Sequence, residues 1–516
     1  MTYVRKDLWK LGNTWSPTLL WYAKAVQELQ KRPITDPTSW RFLAAIHGFN
    51  EDLWITNGYY QKGEQLPPAT DRELFWNRCQ HRTWFFLPWH RPYLISFEAI
   101  VRDAVVKLGG PADWALPYWN YDEFVEHPDN LKLPQPFYDK TLPDDGSPNP
   151  LALPVDLRYG ISGNGVIRLD PDQLDFAQAA NEVQYKGASK ANPGFGGQNP
   201  LQTAPNDLAF GYVENSPHNH VHNMVGGDND KDGAAYHEGL MADPRTAGLD
   251  PIFWLHHANI DRLWQIWLNR DPSHKNPSEP AFVEGPPKGS PFVFPEPNGD
   301  SRFWKVGETL DLSRLGYTYE SFHDPVPKAT PVLKQAAAFA AKPAVAAVKE
   351  PVVELIGANS SSIKLLGRKS ESQVRLDKPG VSKVAKSLAA KSLVAQNAAP
   401  AHERVFLNLE NIRGRRNTVY LEVYVGLPAG AQPSAHPELC AGGVSLFGVA
   451  AASDASDPHG GNGVNAALEI TDIVDALRAK GTLDLAQLQI DLVPDKDLSA
   501  ADELSIGRIS LYRQGD

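Results

Sequence analysis

Five stretches within the first 270 residues have the apolar spacing of amphipathic helices, and four of them carry histidine. Three stretches begin with an N-cap residue followed by proline at the first helical position. These pairs are Ser16–Pro17, Asp36–Pro37 and Asp250–Pro251. A fourth helix is expected near Pro88, and a fifth in PHNHVHNMVGG at 217–227. The pattern predicts a mainly helical domain with long loops over residues 1–325, in which histidines from several helices can meet.

The composition excludes several classes of protein. At 516 residues the chain is long enough for two or three domains. Its net charge of −11 argues against a general binder of nucleic acid. No run approaches the roughly 18 to 20 apolar residues of a membrane span, and the first residues lack the pattern of a secretory signal. The chain has only two cysteines, which fits a reducing compartment, so a cytoplasmic location is expected. The charge and the lack of an apolar span predict that neither nucleic acid nor a membrane is a partner.

The second part of the chain has a different character. Residues 326–402 are rich in alanine and lysine and include a short alternating segment at 361–377, so they are interpreted as a linker with a short β segment. Residues 403–516 contain four runs with strand periodicity and one helical piece near 471–481. These runs predict a C-terminal β-sandwich.

The segment at 217–227 places three histidines in five positions. Because each helical residue advances about 100°, His218 and His222 share one face while His220 points nearly the opposite way. The spacing therefore offers two ligands and one bystander. Such a pair also occurs on ordinary surface helices, so it does not establish a metal site alone.

Other histidines can complete two clusters of three imidazoles. His47 ends a predicted helix, and His81 and His90 frame HRTWFFLPWH. His256 and His257 lie inside the last of the five helices, where helical geometry does not choose between them. The Glu-x-x-His spacing of di-iron bundles and the H-E-x-x-H motif of zinc hydrolases are absent from these clusters. Imidazole alone suits copper, and two Cu(I) ions can deliver two electrons to O₂, so the sequence predicts oxygen binding or activation.

Several motifs resemble those of a known family. HG at 47, CQHRTWFFLPWHRPYLISFE at 79–98, LPYWNYD at 116–122, PHNHVHNMVGG, and DPIFWLHHANIDRLW at 250–264 closely resemble the two copper-binding regions of tyrosinases and polyphenol oxidases. GYTYE near 320 resembles the Tyr-x-Tyr signature that closes that domain. VYLEVYVGLPAG resembles the C-terminal domain of plant polyphenol oxidases. The resemblance implies a bacterial-type tyrosinase: a four-helix bundle around two copper ions per chain, with O₂ as co-substrate and small phenols as substrates.

The resemblance also implies a role for each site residue. The first copper would take His47, His81 and His90, and the second His218, His222 and His257. Between His256 and His257, the family pattern selects His257.

Three further residues have roles in the family. Cys79 lies two residues before His81, where some members form a thioether between the cysteine sulfur and an imidazole carbon. Glu214 and Asn219 match a pair thought to orient a water that accepts the phenol proton. A positioned base matters because the pKa of a phenol is about 10.

The implied activity is ortho-hydroxylation of monophenols and oxidation of o-diphenols to o-quinones. The alternatives are a catechol oxidase or an o-aminophenol oxidase without monophenol turnover, and less favoured is an oxygen carrier of the hemocyanin type. In relatives, a side chain of the C-terminal domain often covers the copper pocket and keeps the enzyme latent. Leu439, Leu446 and Phe447 are the candidates here, and the sequence does not choose among them. It also leaves open whether the chain forms a homo-oligomer.

Overall fold

The computed structural model describes most of the chain. The described residues are 2–161, 163–187, 189, 191–229, 237–286, 291–326, 352–376, 404–457, 460–484 and 487–515. The Ala/Lys-rich segments at 328–350 and 380–402, interpreted above as parts of the linker, lie outside these residues. Among the described helices, none combines the length and the apolar character needed to cross a membrane.

The helices lie mainly in the first 270 residues. They are α1 (Pro17–Lys31), α2 (Trp40–His47), α3 (Glu51–Thr56), α4 (Ala69–Phe75), α5 (Phe86–Lys107), α6 (Ala177–Asn181), α7 (His220–Gly226), α8 (Pro251–Arg270), α9 (Pro280–Val283), α10 (Val306–Thr309), α11 (Val449–Ser453) and α12 (Thr471–Ala479). A broken helical segment, Glu214–Asn219, precedes α7 and is interrupted at Ser216, whose φ and ψ are extended.

Two of the three predicted N-caps are confirmed. The Ser16 side chain accepts from the backbone N–H of Leu19, and the Asp250 side chain accepts from that of Ile252. The third prediction is wrong, because α2 begins at Trp40 and its cap is Ser39. Asp36 instead accepts from the backbone N–H of Thr38 and closes a turn one residue before that cap.

The long helices pack into one aromatic core. Helix α5 contacts both α1 and α8, and α1 also contacts α2. The largest fully buried side chains of this core include Trp40, Trp54, Trp84, Trp89, Trp119, Trp254, Trp264 and Trp267. Since α2, α5 and α8 all carry histidines, the packing brings imidazoles together inside the core. The specific four-helix arrangement stays a prediction.

Two small sheets close this domain. Strand β1 (Tyr3–Arg5) pairs in parallel with β4 (Tyr317–Tyr319), and β2 (Phe292–Pro295) pairs antiparallel with β3 (Ser301–Trp304). The hydroxyl groups of Tyr317 and Tyr319 both donate to Asp261 of α8 at 2.6 Å. Asp261 also forms ion pairs with Arg5 and Arg91. The Tyr-x-Tyr strand is thus tied to the helical core through one buried carboxylate.

The C-terminal domain is one curled nine-stranded sheet. Its strands are β5 (Val352–Ala358), β6 (Ile363–Lys364), β7 (Ser370–Leu376), β8 (Arg404–Arg413), β9 (Tyr420–Val425), β10 (Cys440–Ser445), β11 (Val464–Glu469), β12 (Leu488–Pro494) and β13 (Ser505–Gly515). The strand order is β10-β9-β12-β7-β5-β13-β8-β11, and β6 pairs with β13. The two end strands, β10 and β11, contact each other, so the sheet nearly closes into a barrel.

The structure corrects two expectations for this region. A β-sandwich has two packed sheets, but here pairing between β5 and β7 joins the two halves into one continuous sheet. The expected linker at 326–402, with its alternating segment at 361–377, contains integral strands over 352–376 that pair with β12 and β13. The sheet domain therefore begins about fifty residues earlier than the boundary at 403.

Polar contacts join the two domains. Asp228 forms ion pairs with Arg416 and Lys496 of the C-terminal domain. The Glu238 carboxylate accepts from the backbone and side-chain N–H groups of Asn417, each at 2.7 Å. These contacts, which are buried or partly buried, fix the C-terminal domain against the loop that follows α7.

Candidate metal centre

Eight side chains form two compact groups in the core of the helical domain. The first group is His47, Cys79, His81 and His90, and the second is His218, His222, His256 and His257. Within each group the potential ligand atoms all lie within 4.8 Å of one another. The structure thus brings together all six histidines that the resemblance assigns to copper, with two further side chains.

The first group draws on α2, α5 and the loop between α4 and α5. His47 is the last residue of α2, His90 lies in the second turn of α5, and His81 precedes α5. The His47 ring lies 5.2 Å from that of His81 and 5.7 Å from that of His90, centroid to centroid.

The second group draws on α7, α8 and the segment before α7. His218 and His222 lie on one side of a helical stretch, as expected: the break at Ser216 precedes both residues, and their ring centroids lie 4.6 Å apart. His220 lies outside both groups, and its Nδ1 donates to the carbonyl of Gln173.

Four imidazoles are oriented by hydrogen bonds from Nδ1. His47 donates to the Pro244 carbonyl at 2.7 Å, His90 to that of Phe86 at 2.7 Å, and His222 to that of Met241 at 2.9 Å. Nδ1 of His218 lies 2.8 Å from the side-chain oxygen of Asn219. Because a carbonyl oxygen only accepts, these contacts leave the lone pair on Nε2, the nitrogen available to a metal.

Burial keeps the imidazoles neutral. It lowers the pKa of His218 to about 3 and holds the pKa values of His81, His90, His222 and His257 well below their ordinary value. Nε2 of His218 is buried and has no hydrogen-bond partner among the described residues. Such an atom is costly unless something binds it, so two cations with a preference for imidazole fit these groups.

His256 and His257 both reach the second group, by different contacts. The His257 ring stacks on His90 of the first group at 4.3 Å, and its Nε2 lies 3.4 Å from Nε2 of His222. Nδ1 of His256 lies 2.8 Å from the hydroxyl oxygen of Tyr121. Of these two histidines, His257 alone has a described ring contact with the first group, to His47 and His90.

Cys79 lies between two ligands of the first group. Its Sγ is 3.5 Å from Nε2 of His81 and 3.4 Å from Nε2 of His90. The thiol is free, and burial raises its pKa well above the ordinary value. The thiol thus lies in contact with both imidazole rings.

Glu214 and Asn219 have partners that the sequence did not predict. The backbone N–H of Arg82 donates to both carboxylate oxygens of Glu214, at 2.9 and 3.0 Å. Burial raises the pKa of Glu214 to about 8. Asn219 orients His218 through its side chain, and its backbone carbonyl accepts from Ser445 of the C-terminal domain at 3.0 Å.

Phe447 of the C-terminal domain covers the histidines. Its ring stacks on His222 at 4.2 Å and meets the edges of His218 at 5.9 Å and His81 at 6.2 Å. Leu439 and Leu446, the other two candidates, lie in the core of the C-terminal sheet. No sequence signal separates the three residues, because their difference arises from the fold of the loop after β10.

Comparisons with known proteins agree with this geometry. Residues 37–270 match the family model of the common central domain of tyrosinase, and residues 352–514 match a domain of unknown function. Tyrosinase HcTyr1 of Hahella sp. (strain CCB-MM4) is 32% identical over 509 residues, covering 97% of both chains. Aureusidin synthase of Antirrhinum majus is 30% identical over 325 residues, covering 60% of this chain and 52% of the relative.

Solved structures share the fold. Latent aurone synthase, a polyphenol oxidase, aligns with a TM-score of 0.58 at 20% identity, covering 99% of this chain and 89% of the other. Latent apple tyrosinase aligns with a TM-score of 0.52 at 23% identity, covering 99% and 97%. With two imidazole groups in the helical domain and a relative matched over nearly its whole length, the chain belongs to the tyrosinase and polyphenol oxidase family.

Proposed function

We propose that the protein is a dicopper tyrosinase that hydroxylates monophenols at the ortho position and oxidises o-diphenols to o-quinones. The observation that carries this proposal is the pair of neutral imidazole groups, whose Nε2 lone pairs are set by hydrogen bonds from Nδ1. Two copper ions held there by His47, His81, His90, His218, His222 and His257 would supply O₂ binding and two-electron redox chemistry.

The residues around the two groups would handle the phenol and its proton. Phe86 packs against His90 and His218 at 4.7 Å, and Phe253 packs against His257 at 4.3 Å, so the walls are aromatic and exclude water. Glu214 is the candidate acceptor of the phenol proton, either directly or through a water. Asn219 would act by holding His218 in place.

The thioether is a separate part of the proposal. Its support is the position of the Cys79 sulfur, 3.5 Å from Nε2 of His81. A crosslinked peptide pair would be lighter by two hydrogen atoms and resist alkylation. Free alkylation of Cys79 in copper-loaded, turned-over protein would exclude it.

Latency is supported by the position of Phe447. An aromatic ring stacked on His222 would occupy the space of a substrate ring. Burial of such a side chain stabilises the closed state by about 1.5 to 3 kcal/mol, so release should raise activity tens-fold rather than thousands-fold. Limited proteolysis between 328 and 350, before β5, is therefore expected to raise catechol turnover and to lower its apparent KM. Unchanged kinetics after removal of the C-terminal domain, with copper retained, would refute the covering role.

The activity is tested with copper-loaded protein and three substrates assayed side by side: tyrosine, catechol and o-aminophenol. Consumption of tyrosine without added diphenol supports the tyrosinase. Turnover of catechol or o-aminophenol without turnover of tyrosine would support a catechol oxidase or an o-aminophenol oxidase. Reversible O₂ binding without turnover would support an oxygen carrier. We further propose a cytoplasmic location and small phenols as the only partners that the site requires.

A further inference from the structure

Arg82, the residue after His81, has a left-handed backbone conformation. Its φ is 62°, a value that glycine adopts readily and that a residue with a Cβ atom adopts only at a cost. Such a conformation persists where the surrounding structure holds it, and it is found most often at functional sites. The contacts of Arg82 therefore indicate what the conformation serves.

The backbone N–H of Arg82 holds the Glu214 carboxylate. It donates to both carboxylate oxygens, at 2.9 and 3.0 Å. Glu214 is fully buried, and among the residues that the structure describes no other group donates to its carboxylate. Because the two distances are nearly equal, the N–H lies midway between the two oxygens. This one donor therefore fixes the direction in which the carboxylate points.

The left-handed φ lets this contact coexist with the path of the chain. The peptide group between His81 and Arg82 carries the donating N–H, while Thr83, the next residue, forms a parallel bridge with Gln198. Rotation about φ of Arg82 sets the angle between these two parts. A return of φ to the usual negative range would turn the N–H away from Glu214 or displace Thr83. The hydrogen bonds to Glu214 thus depend on the backbone of Arg82.

The side chain of Arg82 contacts the C-terminal domain. Its Nη1 donates to the carbonyl of Gly463, immediately before β11, at 2.6 Å. Gly463 lies 381 residues later in the chain, so this contact exists only while the two domains are docked. The contact restricts the side chain of Arg82 and thereby helps to hold the left-handed backbone to which it is attached.

We propose that Arg82 is the positioning residue of Glu214: its left-handed backbone directs the carboxylate, and the bond of its side chain to Gly463 stabilises that conformation. The use of Glu214 as a proton acceptor rests on the proposed function, but the dependence of its hydrogen bonds on residue 82 does not. Three variants separate the contributions. Arg82→Gly keeps the conformation without a side chain, Arg82→Ala adds a Cβ atom without the bond to Gly463, and Arg82→Val adds a branched side chain that opposes the conformation.

Hydrogen exchange at the amide of residue 82, measured by mass spectrometry on the full chain with and without copper, tests the hydrogen bonds themselves. Exchange in Arg82→Gly is expected to stay as slow as in the wild type. In Arg82→Val it should be about tenfold faster, since loss of a hydrogen bond to a charged group corresponds to about that factor. Arg82→Ala should lie between the two. Equal exchange in the glycine and valine variants, or in the glycine and alanine variants if the valine variant does not fold, would overturn the proposal. Equal exchange in the wild type and Arg82→Ala would exclude the role of the Gly463 contact.

The second measurement is the ratio of tyrosine turnover to catechol turnover, each per bound copper. The ratio should stay near the wild-type value in Arg82→Gly and fall about tenfold in Arg82→Val, because monophenol turnover needs the positioned carboxylate. Glu503→Val makes the same change at an exposed left-handed residue of the C-terminal domain, with φ 49°, and should leave the ratio unchanged. An equal fall in Arg82→Gly and Arg82→Val would assign the effect to the guanidinium and refute this inference. Absence of tyrosine turnover in the wild type would refute the proposed function and leave the exchange result standing.

Discussion

At the residue scale, substitution of the two adjacent histidines of α8 is expected to have different effects on the amount of bound copper. His257 stacks on His90 and faces His222, so His257→Ala is expected to remove about half of the bound copper. His256 is held by Tyr121, so His256→Ala should retain most of it. Metal analysis of the purified variants checks this, with His220→Ala as a control outside both groups. Equal loss in His256→Ala and His257→Ala would make His256 a ligand as well.

Loss of the Glu214 carboxylate is expected to lower monophenol turnover more than diphenol turnover. Its folded-state pKa of about 8 lies above the ordinary 4.5, so the proton-accepting form grows as pH rises through about 8. Bound copper ions favour the ionised carboxylate and would move this midpoint lower. Monophenol turnover should therefore rise with pH up to that midpoint. The substitution Glu214→Gln should lower monophenol turnover by roughly one to two decades, because loss of a buried hydrogen-bond partner costs about 1 to 3 kcal/mol.

The measurement is the pH profile of tyrosine and catechol turnover in the wild type and in Glu214→Gln. Catechol turnover should change less, because a diphenol donates electrons without attack on its ring. Equal losses on both substrates would mean that Glu214 only supports the structure around Arg82.

The sequence predicts which histidines form the site more fully than it predicts the residues that surround them. The motifs that resemble the family's copper-binding regions imply the six histidines that the structure brings together, while spacing alone leaves the choice between His256 and His257 open. The sequence does not identify the bond from Arg82 to Glu214 or the approach of Phe447, since both join segments far apart in the chain. Their geometry depends on how whole domains pack.

At the scale of elements, the loop after β10 determines access to the site. Ser445 donates to the Asn219 carbonyl and accepts from Asn223 of α7, so β10 is fixed two residues before Phe447. Phe447→Ala is expected to raise catechol turnover of the intact chain tens-fold, because the ring over His222 is gone and its burial contributed about 1.5 to 3 kcal/mol. Steady-state kinetics with uncleaved protein measure this.

Leu439→Ala is the matched control for that prediction. Leu439 is buried in the core of the C-terminal sheet, so its loss should cost about 2 to 5 kcal/mol of stability without activating the enzyme. If Leu439→Ala activates as strongly as Phe447→Ala, loosening of the domain, and not the aromatic ring, controls access.

Local signals predict where elements begin but not which strands pair. The caps at Ser16 and Asp250 and the helix near 471–481 follow from sequence alone. Strands β5 and β7 were assigned to a linker because Ala/Lys-rich segments flank them. Only their pairing with β12 and β13, more than a hundred residues later, makes them part of the sheet.

At the scale of the whole molecule, the two domains are joined by contacts with opposite pH dependence. Lys496 and Arg416 lower the pKa of Asp228, so the docking energy it contributes is lost only under strong acid. Burial and the negative charges of Asp243 and Asp228 raise the pKa of Glu238 to about 8, although it accepts from Asn417. The docked molecule therefore holds a proton on Glu238 that the separated domains release. Docking must weaken as pH rises from the ordinary 4.5 towards 8.

Chain cleaved between 328 and 350, before β5, is expected to separate into its domains more readily at pH 8 than at pH 6. One proton released per separation increases the dissociation constant by up to about tenfold per pH unit. Size-exclusion chromatography at a series of pH values measures the separated fraction, and catechol turnover should rise with it as Phe447 leaves His222. Glu238→Gln keeps the polar side chain but cannot ionise, so its separated fraction should stay nearly constant over this range. If the variant keeps the pH dependence of the wild type, a group other than Glu238 controls docking.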